Sequence, residues 1–238
     1  MTLEKHTKII FENLKIGNEI DFFNLWKEIF NQIYPNNKAN LNDPLMTTRI
    51  YKNFYLSKYF VSIKNIEGDI LECGVFKGFS SLLLRTISKQ LSISNKNNFF
   101  LVDSFEGLSE ILEEDKPENK NIYQSQKGDL KSNIKNVETL FKDFDNVHIL
   151  KGWIPEIFNI LEVSNKYKFV HIDVDLYQPT YDTLEYIYDK VVIGGMIITD
   201  DYQSPLFPGN KKAWEKFCKS KKIGFFSLPS GQAVIIKE

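Results

Sequence analysis

From residue 69 onward, short apolar runs alternate with amphipathic segments of helical length, and no other feature constrains the fold as strongly. The five runs that predict strands are DILECGV, NNFFLVDS, NVHILKG, KFVHIDVD and VVIGGMIITD. The segments between them that predict helices are SSLLLRTISKQL, NIKNVETLFKDF, PEIFNILEV and TYDTLEYIYDKV. Such alternation builds βαβ units, and therefore a parallel sheet with helices on both faces.

The end of the chain departs from this pattern. Two further apolar runs, IGFFSLP and QAVIIKE, are separated by a Pro-Ser-Gly turn and predict a closing antiparallel hairpin. Together with the five earlier runs they predict an α/β fold with a mostly parallel, seven-stranded sheet. Gly194 and Gly195 precede the last parallel strand in this prediction, where they cap a helix and form a turn.

Residues 1–66 are predicted to form a helical cap on a sheet domain at 67–238. An apolar stripe from Ile20 to Phe30 predicts one helix, and a second is predicted from about Thr47 to Ile63. The segment PNNKANLNDP between them predicts a loop.

Composition excludes several classes of protein. Lysine and arginine number 30 and aspartate and glutamate 31, so no strong overall field attracts nucleic acid. Two cysteines, Cys73 and Cys218, cannot form a disulfide framework. No apolar run approaches the roughly 20 residues of a membrane span, and the N-terminus lacks the apolar region of a signal peptide. These features predict a cytoplasmic protein.

Ligands of an open parallel sheet bind outside the carboxyl ends of its strands, and polar residues follow four of the five predicted strands. After the first strand, Glu72 and Gly74 lead through Phe76 to Ser80, where a helix begins. Such a turn suits a zwitterion, with Glu72 near an ammonium group and with Ser80 and backbone N–H groups near a carboxylate. A tight turn without a ligand explains the same residues equally well.

The second strand ends at Asp103 and Ser104, about 30 positions after the first glycine. An acidic residue at the end of this strand can accept both hydroxyls of a ribose, although this spacing exceeds the ~20 residues of the dinucleotide fingerprint. The alternative role of Asp103 is a helix N-cap. The two strand ends together favour a ligand.

The last two parallel strands end in paired carboxylates, Asp173 with Asp175 and Asp200 with Asp201. Four carboxylates at neighbouring strand ends would repel one another, and a divalent cation with oxygen ligands, Mg²⁺ by default, relieves this repulsion. Capping and solvation could explain either pair alone. His171 lies in the same strand as Asp173 and is predicted to be a buried, hydrogen-bonded histidine.

Several of these stretches together resemble the macrocin O-methyltransferase family of class I S-adenosylmethionine-dependent, metal-dependent sugar O-methyltransferases. The resemblance extends from about residue 46 to the C-terminus. The stretches that carry it are GDILECGVFKGFSSLLL, FLVDSFEGL, KGWIPEIF, HIDVDLYQPTYDTLEYIYDKVVIGGMIITDDYQSP and GNKKAWEKFC. It implies a Rossmann-like methyltransferase sheet.

The resemblance also implies roles for individual residues. Asp173, Asp200 and Asp201 would bind Mg²⁺, and Asp175 would act as the general base. The residues implied for S-adenosylmethionine are Glu72, Gly74, Phe76, Ser80, Asp103, Ser104, Trp153 and Asp173. One departure concerns Leu176, which stands where the wider catechol-type enzymes place a lysine base.

The implied reaction is methyl transfer to a sugar hydroxyl that has an adjacent hydroxyl, with the metal essential. The sugar could be free, nucleotide-linked or part of a glycoside, and a catechol or another small diol stays open. The N-terminal helices within residues 1–66 and the loop at residues 110–127 are expected to form the acceptor side, with the loop as a lid and with YQSPLFPGNKK at its border. Lys211 and Lys212 there could meet a phosphate or simply begin a solvated helix.

Relatives commonly dimerise through N-terminal helices, so FFNLWKEIF and IYKNFYLSKYF are expected to support a homodimer. The alternative is that these helices pack on their own domain.

Competing functions explain fewer of these residues. A metal-dependent glycosyltransferase would use the Asp-x-Asp pair but leaves Glu72, Asp103 and the second pair without a role. A phosphatase usually carries such a pair on its first strand. A nicotinamide-dependent dehydrogenase needs G-x-G-x-x-G, which the turn after Glu72 does not match. A non-catalytic binding module has no need for four carboxylates.

Overall fold

The computed structural model describes residues 3–17, 19–93, 97–161 and 166–238. Its chain divides into two compact units, one formed by Met1–Asn65 and Gly78–Ser94 and the other by Ile66–Lys77 and Asn95–Glu238. The sequence-based boundary after residue 66 did not assign residues 78–94 to the N-terminal part.

The first unit is helical with one short hairpin. Its elements are α1 (Leu3–Glu12), β1 (Lys15–Ile16), β2 (Ile20–Asp21), α2 (Phe22–Ile33), α3 (Pro44–Ser62) and α4 (Phe79–Gln90). Aromatic residues pack in its core. The ring centroid of Trp26 lies 5.1 Å from that of Phe30 and 5.4 Å from that of Phe79.

Two predicted helix boundaries in this unit were wrong, both for local reasons. Ile20 lies in β2, because Asp21 caps α2 by accepting a hydrogen bond from the Asn24 N–H. Helix α3 begins at Pro44 rather than near Thr47. There Asp43 is the N-cap, and a proline in the first turn loses no helical hydrogen bond.

The second unit contains the predicted seven-stranded sheet. Its strands are β3 (Asp69–Cys73), β4 (Phe99–Asp103), β5 (Val147–Lys151), β6 (Tyr167–Ile172), β7 (Val191–Thr199), β8 (Phe226–Ser227) and β9 (Ala233–Ile236). Their spatial order is β5-β4-β3-β6-β7-β9-β8. The first five are parallel, and β9 and β8 form the antiparallel hairpin at one edge, as predicted.

The α-helices among the described residues of this unit are α5 (Ile134–Phe141), α6 (Tyr177–Ile187) and α7 (Pro208–Lys221). The central strand β6 is buried along its whole length, whereas the edge strand β8 is exposed. Burial on both faces explains why four of the six residues of β6, YKFVHI, are apolar.

Two further predictions for this unit were wrong. The segment PEIFNILEV forms a short 3₁₀ helix, Glu156–Ile160, and its last two residues, 162 and 163, lie outside the described residues. Gly194 and Gly195 lie inside β7, where the register with β6 shifts, and they do not form a turn before it. Gly194 has φ +78°, and a Cβ on Gly195 would lie 2.9 Å from the Lys168 carbonyl oxygen, so a strand irregularity requires both glycines.

The strand order reverses between β3 and β6, which are neighbours in space although β4 and β5 lie between them in the chain. Connections from these two strands therefore leave in opposite directions and open a crevice at their carboxyl ends. Glu72 and Asp173 lie at this edge of the sheet. Among the described residues, no helix is long and apolar enough to cross a membrane.

Candidate active site

The turn after β3 packs directly against the end of β6. The Gly74 N–H donates to the Val102 carbonyl at 2.9 Å, and the Asp173 N–H donates to the Cys73 carbonyl at 2.8 Å. Gly74 has φ +90°, and a Cβ placed on it would lie 1.8 Å from the Asp173 carbonyl oxygen. Only glycine fits here. The backbone at Gly74 therefore packs against the backbone of Asp173, a candidate metal ligand, with no space for a side chain between them.

Asp103 at the end of β4 fixes the same turn. Its Oδ2 accepts hydrogen bonds from the N–H groups of Val75 (2.7 Å) and Phe76 (2.8 Å), and its Oδ1 accepts one from the Phe105 N–H. Phe76 (φ 50°) and Phe105 (φ 56°) both have left-handed backbones. Such strain persists where the surroundings impose it, and it concentrates at ligand-binding turns.

The remaining residues implied for the cofactor occupy different settings. The Ser104 hydroxyl closes its own turn by donating to the Gly107 carbonyl and accepting from the Glu106 N–H, each at 3.1 Å. Trp153 follows β5 and is 37% exposed. Ser80 lies in the first turn of α4, in the other unit. The cofactor roles of all three stay predictions.

Three carboxylates meet at the ends of β6 and β7. Asp173, Asp175 and Asp201 each place one oxygen so that the three atoms lie within 4.8 Å of one another. Burial raises the pKa of Asp175 well above its ordinary value, and the charges of Asp201 and Asp173 raise it further. A divalent cation that prefers oxygen ligands would relieve this repulsion.

This cluster differs in one member from the sequence-based metal set, since it contains Asp175 and not Asp200. Asp200 Oδ1 accepts a hydrogen bond from the Gln232 side-chain amide at 2.8 Å. The Ser230 hydroxyl in turn donates to the Gln232 carbonyl oxygen at 2.7 Å. Asp200 is thus tied to the C-terminal hairpin, and its role as a metal ligand stays a prediction.

His171 lies between two acidic groups in the sheet, where it is 2% exposed. Its Nδ1 is 2.8 Å from Glu72 Oε1, and its Nε2 is 3.6 Å from Asp200 Oδ1. Burial alone would lower the pKa of His171, but the hydrogen bonds and charges of the flanking carboxylates outweigh it and raise the pKa to about 10. The prediction of a buried, hydrogen-bonded histidine is confirmed.

A cavity of about 270 Å³ has in its wall Leu176, the residue that follows Asp175. It is formed by loop residues between Ile111 and Gln126, together with Leu176 and Phe207. Leu176 directly follows Asp175, and Phe207 lies in the stretch YQSPLFPGNKK. The two segments expected to border an acceptor therefore line one cavity.

Asp115 anchors the loop that forms this cavity. Its Oδ1 accepts from the Tyr177 N–H at 2.6 Å, where α6 begins, and its Oδ2 accepts from the Leu112 N–H at 3.0 Å. Lys212 donates to the Glu114 carbonyl at 2.7 Å. Lys212 therefore ties α7 to this loop, which favours a structural role for it over a phosphate contact.

Comparison with known proteins identifies the family. The model of the macrocin O-methyltransferase (TylF) family matches residues 46–225. The chain belongs to this family. The match includes the turn after β3, Asp103 and all three clustered carboxylates, and it ends just before β8.

Two curated relatives that match part of this chain are named as O-methyltransferases of natural products. Demethyldecarbamoylnovobiocin O-methyltransferase of Streptomyces niveus is 28% identical over 143 residues, which are 58% of this chain and 54% of that protein. The Streptomyces olivaceus 8-demethyl-8-(2,3-dimethoxy-alpha-L-rhamnosyl)-tetracenomycin-C 4'-O-methyltransferase is 27% identical over 142 residues, with the same two shares. The chain thus spans about half the length of the curated relatives it matches.

The fold is also that of solved class I methyltransferases. The structure of the O-methyltransferase NovP superposes with a TM-score of 0.69 at 19% identity, and the match covers 98% of each chain. The Rossmann-like methyltransferase sheet implied by the sequence is confirmed.

Two residues that hold the site in place, Gln232 and Asp115, were not predicted from the sequence. Gln232 orients Asp200, and Asp115 anchors the cavity loop. Neither lies at the end of a parallel strand, and both act through partners distant in sequence. A glycine lies beside each of these residues. Gly209 allows a close contact with Asp115, because a Cβ there would lie 1.9 Å from Asp115 Oδ1. Gly231, with φ +90°, forms the turn before Gln232.

Proposed function

We propose that this protein is an S-adenosylmethionine- and Mg²⁺-dependent O-methyltransferase that methylates a hydroxyl of a sugar. The observation that carries the proposal is the carboxylate cluster of Asp173, Asp175 and Asp201 beside the turn after β3, in a chain of the macrocin O-methyltransferase family. The cluster supplies acid–base and metal-binding groups, and the turn supplies a place for the methyl donor.

The residues at the crevice beside the carboxyl ends of β3 and β6 fit S-adenosylmethionine. Glu72 is buried at the end of β3 and suits the ammonium group of the methionine part. Gly74 brings backbone, not a side chain, to the crevice. Backbone N–H groups occupy three of the about four lone-pair sites of the Asp103 carboxylate, and the site left on Oδ1 would accept a ribose hydroxyl.

The acidic cluster fits a hard divalent cation, because its three ligands are all carboxylate oxygens and lie close together. Asp173 and Asp201 would hold the cation. In the reaction, Mg²⁺ would supply Lewis acidity and S-adenosylmethionine would supply the methyl group.

Asp175 would accept the proton of the acceptor hydroxyl on one of its carboxylate oxygens. An ordinary aspartate, with a pKa near 3.9, is a poor base for an alcohol. Burial is the largest cause of the raised pKa of Asp175, and it persists when a cation neutralises the neighbouring carboxylates, so it improves the match of Asp175 to this task. Leu176, at the position of the lysine base in the catechol-type enzymes, has no group that accepts a proton. Asp175 is therefore the candidate base next to the residue that lines the acceptor cavity.

The cavity formed by the loop and Phe207 would hold the acceptor. Its volume of about 270 Å³ suits a single sugar ring better than a whole glycoside or nucleotide sugar. The name of the Streptomyces olivaceus relative describes methylation on a molecule that carries a rhamnosyl group, which supports a sugar acceptor. Gln124 and Gln126 offer amides to its hydroxyls.

We propose a homodimer that uses exposed side chains outside the stretch FFNLWKEIF, because the apolar residues of that stretch are buried within the single chain. Ile9 and Ile10 on α1 are 44% and 41% exposed, and Leu45 at the start of α3 is 66% exposed. Apolar side chains on these helices are available to a second copy of the chain.

The proposed function is tested by titration calorimetry with S-adenosylmethionine. We expect micromolar binding by the wild-type protein and a loss of at least about 100-fold in the Asp103→Ala variant, since that carboxylate both contacts the ribose and shapes the turn. Asp143→Ala, an exposed carboxylate after α5, is the control and should bind normally. No binding by the wild-type protein would exclude the methyltransferase and favour a metal-dependent glycosyltransferase.

A second prediction concerns the acceptor cavity. Phe207→Ala removes an aromatic wall and is expected to raise the acceptor KM about tenfold or more, with the affinity for S-adenosylmethionine unchanged. Steady-state kinetics with a panel of sugars and nucleotide-linked sugars measures the first quantity, and calorimetry measures the second. An unchanged KM would show that the acceptor binds elsewhere.

A further inference from the structure

A line of polar side chains, joined by hydrogen bonds and by one 3.6 Å contact between His171 and Asp200, crosses four neighbouring strands of the sheet. It begins at Glu72 on β3, passes through His171 on β6 to Asp200 after β7, and ends at Gln232 and Ser230 before β9. The two hydrogen bonds at its far end are 2.8 and 2.7 Å long. Buried polar groups joined in this way constrain one another's positions.

The backbone register sets this arrangement. His171 is the direct β-ladder partner of Glu72, so the two side chains project from adjacent positions on the same face. The Asp200 N–H donates to the Ile172 carbonyl at 2.9 Å, which places Asp200 beside the end of β6. Because the two imidazole nitrogens point in fixed, divergent directions, one ring faces both carboxylates at once.

The two carboxylates that flank His171 belong to different parts of the proposed site. Glu72 lies on the side of the methyl donor. Asp200 immediately precedes Asp201, which belongs to the carboxylate cluster. Any displacement of Glu72 or Asp200 is therefore transmitted through a ring with no room to move, since His171 is 2% exposed.

We propose that His171 is a positioning residue that couples the binding of S-adenosylmethionine at Glu72 to the binding of the divalent cation at the carboxylate cluster, through Asp200 and its neighbour Asp201. This inference rests on the proposed function. It predicts that each ligand raises the affinity for the other, by the same factor in both directions.

The test is calorimetric titration with S-adenosylmethionine in the absence and in the presence of saturating Mg²⁺. We expect Mg²⁺ to tighten binding about fivefold or more in the wild-type protein. His171→Asn keeps a polar group near the Nδ1 position, facing Glu72, and His171→Gln keeps one near the Nε2 position, facing Asp200. Each variant retains one contact and loses the other, so the coupling factor is expected to fall towards one in both.

The control is His148→Asn, the same substitution on β5, where the histidine contacts Asn98 at 3.2 Å outside this line of side chains. It should preserve the wild-type coupling. Thermal unfolding identifies any variant that fails to fold. In that case Gln232→Met, which removes the amide that holds Asp200, is expected to weaken Mg²⁺ binding with unchanged affinity for S-adenosylmethionine in metal-free buffer.

The outcomes separate the two proposals. Folded His171 variants that retain the full coupling factor would overturn the positioning role, as would wild-type binding of the cofactor that is indifferent to Mg²⁺. Unchanged Mg²⁺ binding by Gln232→Met would also contradict it. Failure of the wild-type protein to bind S-adenosylmethionine at all would instead overturn the proposed function.

Discussion

Replacing Asp175 by asparagine is expected to lower kcat of methyl transfer by about 10²–10⁴-fold, the usual contribution of a positioned general base. Asparagine has almost the shape of aspartate but cannot accept the proton. Asp175 also has a left-handed backbone, with φ 61°, which asparagine adopts more readily than most residues. The Asp175→Asn substitution therefore removes the proton acceptor with little change in the turn that presents it.

The measurement is single-turnover transfer of a labelled methyl group, with S-adenosylmethionine affinity determined in parallel. Affinity should stay within about threefold of the wild-type value, because the variant alters the reacting group and not the turn after β3. Asp182→Asn is a matched control, since that carboxylate lies on α6 and hydrogen-bonds to Gln178. A variant at Asp175 that transfers methyl groups at the wild-type rate would remove this residue from the role of base.

The fold could be predicted because its signals are periodic and repeated. The alternation of apolar runs with helix-length segments predicts a parallel sheet, and the Pro-Ser-Gly turn predicts the closing hairpin. The wrong predictions depended on single local interactions. A cap at Asp21 shortened one helix, and a register shift placed Gly194 inside a strand where the same residue type usually ends a helix.

The site was predictable to the level of the strand ends but not to the direction of each side chain. Position in the sequence brings Asp173, Asp175, Asp200 and Asp201 to one edge of the sheet. Which oxygens converge depends on backbone angles beyond the strand, such as the positive φ of Asp175. It also depends on partners such as Gln232, whose distance from Asp200 in the chain leaves no local signal.

The other large effect is expected at Gly74. An alanine there would need φ near +90°, and its Cβ would lie 1.8 Å from the Asp173 carbonyl oxygen, so backbone must move against backbone. Strain of this kind, with the loss of packing that follows, costs about 3–5 kcal/mol. For a chain of this size it corresponds to a fall in Tm of roughly 6–20 °C.

Differential scanning calorimetry of the Gly74→Ala variant measures this fall, and Gly224→Ala is the matched control because a Cβ there meets nothing within 4 Å. The control should unfold within about 2 °C of the wild-type protein, as expected of a surface substitution within about 0.5 kcal/mol. Because the Gly74 turn contacts Asp173 directly, the variant should lose S-adenosylmethionine binding even at temperatures where it is folded. Equal Tm values for the two variants would mean that the turn relaxes around a side chain, and the close packing of β3 against β6 would then not determine the geometry of the site.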